Sequence, residues 1–128
     1  MEVFTPTIKL EHSDARGEIY SIALPGNREL MLLHSKKGSI RGGHSHDVDE
    51  TVVLLTGKMA YYKRGTTSES REILLAGNGS FNPAGLIHMG KFLEDSWVIE
   101  QKLAKKGEWK NLDYQPWREK AAANAAGR

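Results

Sequence analysis

Short apolar runs separated by turn-forming residues recur along most of the chain. GEIYSIAL (17–24) alternates apolar and polar positions and stops at Pro25-Gly26-Asn27; ELMLLHS (29–35) follows and stops at Lys36-Lys37-Gly38. TVVLL (51–55) enters Thr56-Gly57 and KMAYYKR (58–64) leaves it, the pattern of a hairpin closed by a tight glycine turn. REILLAG (71–77) meets the turn-rich GNGSFNPAG (77–85), and LIHMGKF (86–92) and SWVIEQKLA (96–104) add two more runs. Runs this short, with period-two alternation and Val, Ile, Leu and Tyr enrichment, are strands. About eight strands in one chain imply a closed barrel or a sandwich, because a sheet that long must pack or close to manage its edges.

The pattern changes at Gln115. PWREKAAANAAG (116–127) begins with Pro116, continues in strong helix formers and stops at Gly127, which predicts a short C-terminal helix. Its apolar residues are nearly all alanine, so Trp117 is its expected anchor and its last turn is expected to fray. The boundaries that follow are an all-β unit over 1–114 and a helical tail over 115–128.

Length and charge narrow the function classes. A chain of 128 residues supports one domain with a real core. Its 18 basic and 16 acidic residues are interspersed, without the basic cluster of a nucleic-acid or membrane surface, so the expected partner is a small molecule. The longest apolar runs, LMLL and TVVLL, fall far short of the roughly 20 residues that span a bilayer. The start, MEVFTPTIKLEH, lacks the basic and apolar regions of a secretory signal, which gives a cytoplasmic expectation. There is no cysteine, so any metal must be held by nitrogen and oxygen.

RGGHSHDVDE (41–50) is where such ligands gather. On a strand, His44 and His46 share a face with Cβ atoms roughly 6 to 7 Å apart, close enough for both imidazoles to reach one ion. Glu50 reaches the same ion only if the chain bends at Asp47-Val48-Asp49, residues that favour turns and bulges.

The surrounding spacing is more specific. Gly38, five residues, His44, one, His46, three, Glu50, six and Gly57 reproduce at every fixed position the first motif of the cupin superfamily. Gly77, five residues, Pro83, one, Gly85, two and His88 reproduce the second, although Phe92 stands where that motif closes with asparagine. The chain therefore resembles a single-domain cupin, a small β-barrel of the RmlC-like jelly-roll kind. The resemblance implies His44, His46, Glu50 and His88 as ligands of one divalent ion (Fe, Mn, Ni, Zn or Cu), with coordination positions left open. It further implies a homodimer, and an isomerase or dioxygenase acting on a small carbonyl- or hydroxyl-bearing molecule.

Two alternatives use the same residues differently. Arg41-Gly42-Gly43-His44 and Asp14-Ala15-Arg16-Gly17 are similar to strings in cupins that epimerise or isomerise nucleotide-linked sugars. There Arg41 would hold a diphosphate and His44 would be a metal-independent general base. A non-catalytic sugar- or effector-binding cupin is the third reading. Arg41, Tyr61 and Lys91 are the substrate-binding candidates, and Arg41 and His44 the catalytic ones.

Overall fold

The computed structural model describes residues 3–127. Eleven strands and one helix follow in order: β1 (Ile8–Asp14), β2 (Gly17–Leu24), β3 (Arg28–Ser35), β4 (Ile40–His46), β5 (Glu50–Thr56), β6 (Lys58–Arg64), β7 (Glu69–Leu75), β8 (Gly79–Asn82), β9 (Ile87–Phe92), β10 (Ser96–Lys102), β11 (Asn111–Asp113) and α1 (Gln115–Ala125). The strands form two antiparallel sheets, one ordered β1-β2-β3-β10-β5-β8 and the other β11-β4-β9-β6-β7.

Alternation decides what lies between them. Leu33, Val52, Leu54, Met59, Tyr61, Leu74, Phe92 and Val98 form the core, each contributing about 1.5–3 kcal/mol if fully buried. Their neighbours along the strands, such as Leu55, Ile73 and Trp97, point outward and stay exposed.

Four strands lie outside the runs that hydrophobic pattern alone marks, and of these β4 is marked instead by its histidines. β8 sits inside the turn-rich segment because its inward side chains, Ser80 and Asn82, are polar while Phe81 is exposed, the reverse of an amphipathic strand. β11 is three residues long, and β1 is an edge strand with six of its seven residues exposed, so neither carries an apolar face.

The expected hairpin at Thr56-Gly57 is a corner instead. β5 pairs with β10 and β8, whereas β6 pairs with β7 and β9, so the chain changes sheets at Gly57. The glycine is needed for close approach as well as for its φ of 93°: a Cβ there would lie 2.0 Å from Ser96 Oγ and 2.6 Å from the Asp95 carbonyl oxygen.

The helix docks on β4 more firmly than its alanines imply. Trp117 and Ala121 are buried, and Tyr62 and Tyr114 meet the indole edge-on. Asn124 accepts from the Ile40 amide (2.7 Å) and donates to the Gly38 carbonyl (3.0 Å). The end is closed by backbone bonds from the Ala126 amide to the Ala122 carbonyl and from the Gly127 amide to the Asn124 carbonyl. Among the described residues no helix is long and apolar enough to cross a membrane.

Candidate metal centre

β4 and β9 lie side by side, with His44 opposite His88. His46 is two residues beyond His44 and so shares its face. One ligand atom from each of the three imidazoles lies within 4.8 Å of the others. The chain bends at Asp47 and Val48, leaves the sheet, and starts β5 in the opposite sheet with Glu50, whose carboxylate returns to the histidines. Asp47 Oδ1 accepts from the Lys110 amide and Asp49 Oδ1 from the Ala84 amide, which fixes the bend.

The carboxylate is fully buried, with Oε2 3.2 Å from His46 Nε2 and Oε1 3.4 Å from His88 Nε2. Yet His46 Nε2 and His88 Nε2 have no hydrogen-bond partner among the described residues, and Glu50 Oε2, paired with the Lys102 ammonium at 3.2 Å, accepts no hydrogen bond of good geometry. Buried polar atoms without partners are costly. Their separation resembles that of two ligands on one ion, which at bonds of about 2.1 Å stand about 3.0–3.4 Å apart for octahedral or tetrahedral angles. The donor set therefore fits a divalent ion.

The residues behind these side chains fix them. Asn111 Oδ1 pairs with His46 Nδ1, and an Nδ1–H donated there leaves the Nε2 lone pair facing Glu50. Asn82 Nδ2 donates to Glu50 Oε1 (3.2 Å) and to the Tyr61 hydroxyl (2.7 Å). Lys102 Nζ is 3.2 Å from Glu50 Oε2. Burial alone would raise the Glu50 carboxyl, but the adjacent His46, Lys102 and His88 outweigh it and hold it below the usual carboxylate range. Burial pushes His44 down to about 3 and His88 down to about 4, the neighbouring imidazoles adding to it, so both are neutral at pH 7 and have lone pairs to give.

A cavity of about 160 Å³ opens beside His44 and His88, with Arg41, Tyr61, Glu100 and Arg118 in its walls. Arg41 and His44 are three residues apart, a spacing that puts side chains on opposite faces of a regular strand. The register shift between Gly42 and His44 restores them to one face. Gly42 and Gly43 take φ of 96° and 86° to make it, and a Cβ on Gly43 would meet the Arg118 and Trp117 backbone at 2.9 Å.

Of the residues expected from sequence, His44, His46, Glu50 and His88 come together, and Arg41 and Tyr61 line the cavity. Tyr61 is buried, and burial with the nearby Glu50 raises it well above its ordinary value, so it remains a phenol. Lys91 does not belong to the site. On β9, His88 and Gly90 face inward, so Lys91 faces outward, exposed in a groove with Tyr62 and Trp117.

Asn82, Lys102 and Asn111 were not among the expected residues. Alternation along SWVIEQKLA carried a signal for the second: once Val98 is inward, Glu100 and Lys102 follow.

No protein-family model matches the sequence, and no curated protein matches it. Solved structures do. Capsular polysaccharide assembling protein CapF from Staphylococcus aureus aligns over 87% of this chain with a TM-score of 0.66 at 17% identity. A deletion mutant of Bacillus subtilis oxalate decarboxylase aligns over 93% at 0.67 and 18% identity. KdgF from Halomonas sp. aligns over 77% at 0.63 and 17% identity, the match covering 88% of that chain. The chain spans only 33% of CapF and 34% of the decarboxylase. Two facing antiparallel sheets in this arrangement, shared with those proteins, give the chain the cupin fold.

Proposed function

We propose that the chain is a metal-dependent enzyme acting on a small oxygen-bearing molecule held between a histidine-rich centre and Arg41. The observation that carries this reading is the convergence of three imidazoles and a buried carboxylate, with His46 Nε2 and His88 Nε2 left without hydrogen-bond partners among the described residues. His44, His46 and His88 would hold the ion, with Glu50 reaching it from the opposite sheet. An ion bound there supplies Lewis acidity toward a substrate oxygen or, if redox-active, access to O2 chemistry. Iron, manganese, nickel, zinc and copper all accept such a nitrogen and oxygen set.

The chain's own residues do the rest. Asn111 sets the His46 tautomer, and Asn82 and Lys102 fix the Glu50 carboxylate. Leu33, Met59, Phe92 and Val98 make an apolar wall that keeps water low around the reacting group. Glu100, raised to about 7 chiefly by burial and by Glu50, can hold or release a proton at its carboxyl near neutral pH.

The metal-independent base reading is less well supported. A His44 held neutral down to about pH 3 is a weak base. A non-catalytic binding protein would share every feature of the centre and differ only in lacking turnover.

The test is elemental analysis of tag-free protein, dialysed against each divalent ion in turn, with His44→Ala and His88→Ala alongside. The parent is expected to retain about one ion per chain and the variants little or none. A parent that retains none of the five ions overturns the proposal.

A further inference from the structure

Arg41 is a buried cation that makes no ion pair among the described residues. Its residue is 6% exposed. Nε donates to Ser35 Oγ at 2.7 Å and Nη2 to the His34 carbonyl oxygen at 3.2 Å, both neutral partners, and buried Nη1 has none. Arg16 in the same cavity wall shows the ordinary solution, since Asp14 takes its guanidinium at 2.6 Å. Burial, with Arg16 nearby, draws Arg41 down to about 10, which leaves it charged at neutral pH. Asp14, Glu100 and Glu18 favour that charge without pairing with it; a buried charge that lacks a paired counterion is among the more expensive features a fold can keep, and this one borders a cavity that also reaches His44 and His88.

The other charges around that cavity do not cancel it. Arg118 also lines it and spends one N–H on the Gly42 carbonyl (2.8 Å). Glu100 is its only acidic lining residue and forms neither an ion pair nor a hydrogen bond with Arg41 among the described residues. With Arg16 matched by Asp14, two guanidiniums face one carboxyl.

From this we propose that Arg41 anchors an anion subsite whose ligand is a small carboxylate carrying a second oxygen, a short hydroxy- or oxo-acid. The proposal names the substrate class for the site proposed above, but the anchor itself does not depend on a metal. The size follows from the cavity: about 160 Å³ is close to the roughly 150 Å³ that admits benzene, a molecule of six heavy atoms. A carboxylate satisfies a guanidinium N–H in planar geometry and matches a single unpaired positive charge. The second oxygen would lie toward the histidines, and the Glu100 carboxyl is free to accept from or donate to it.

The experiment is isothermal titration of metal-depleted and metal-loaded protein with glycolate, lactate and 3-hydroxypropionate, with lactamide and inorganic phosphate as controls. At least one of the acids is expected to bind, with lactamide and phosphate weaker than the best acid by about tenfold or more. Arg41→Met should lose that binding by a similar factor, and Arg41→Lys should retain part of it because the charge stays while the planar fork is lost. Arg41→Met removes an unpaired buried charge, so it is expected to fold, which circular dichroism checks. Ser35→Ala, which frees the guanidinium but keeps its charge, gives a second measure if Arg41→Met does not fold and should weaken the same binding.

The subsite is overturned if no acid binds, if lactamide or phosphate binds as well as the best acid, or if binding is unchanged in both Arg41→Met and Ser35→Ala. Metal content separates this result from the centre itself. Acid binding through Arg41 in a protein that retains no ion upholds the subsite and ends the metal reading; a stoichiometric ion with no acid binding does the opposite.

Discussion

A glutamate with no exposed surface survives only if its surroundings replace water, and Glu50 has Asn82 and Lys102 to do so. The four residues named by the two sequence motifs were legible because their spacing is local. Asn111 was not, since it meets His46 from 65 residues along the chain by strand pairing that no local pattern records; for Lys102 alternation marks the inward face, but nothing local shows that this face meets Glu50. The histidines make a testable statement about pH. Their folded values, about 3 and about 4, lie below the ordinary imidazole value of 6.5. As pH falls below 6.5 the unfolded chain takes up protons that the folded chain refuses, so stability is complete above 6.5 and drains away toward the folded values. Glu50, depressed from 4.5, adds its own loss only below that value. Glu100, raised from 4.5 to about 7, works the other way and regains part of this loss as pH falls below 7; with two histidines against one carboxyl, urea denaturation of metal-depleted protein should still show lower stability at pH 5 than at pH 7, by about 1–3 kcal/mol. His88→Asn should flatten that difference. An unchanged slope in the variant would mean that His88 titrates normally.

At the scale of elements, alternation located the inward residues of most strands, and glycine is where it failed. The doubled residue at Gly42-Gly43 reverses the face of everything before it, so Arg41 and His44 meet despite their odd spacing. At Gly57 a turn signal was read correctly as a turn and wrongly as a hairpin, because sequence does not reveal which sheet the next strand joins. Gly57 and Gly77 separate backbone strain from close approach, having φ of 93° and 91° but opposite surroundings. A Cβ on Gly77 meets nothing within 4 Å, whereas one on Gly57 would overlap Ser96 and Asp95. Gly77→Ala should cost about 1–2 kcal/mol, the strain of a left-handed alanine. Gly57→Ala should cost about 1–3 kcal/mol more, from displaced packing at the corner. Denaturant midpoints of the two variants check this, and equal midpoints would show that the corner yields without cost.

For the molecule as a whole, the centre is a contact between its two halves. All three histidines belong to the sheet of β4 and β9, while Glu50, Asn82 and Lys102 belong to the sheet of β5, β8 and β10. An ion held by the histidines alone would stiffen one sheet; an ion that also takes Glu50 would tie the two together. Ligand binding to the folded state adds about 2.7 kcal/mol at a hundredfold excess over Kd, which the thermal midpoint of the loaded parent should register as a rise of several degrees. Hydrogen exchange tells the two arrangements apart. If Glu50 is a ligand, adding metal to the parent should slow exchange in β5 and β10 as well as in β4 and β9. In Glu50→Gln, which keeps the side chain's size, the ion should still bind but the slowing should stay within β4 and β9. Slowing restricted to β4 and β9 already in the parent would mean that Lys102 keeps Glu50 as its counterion and that the ion is held from one side of the barrel.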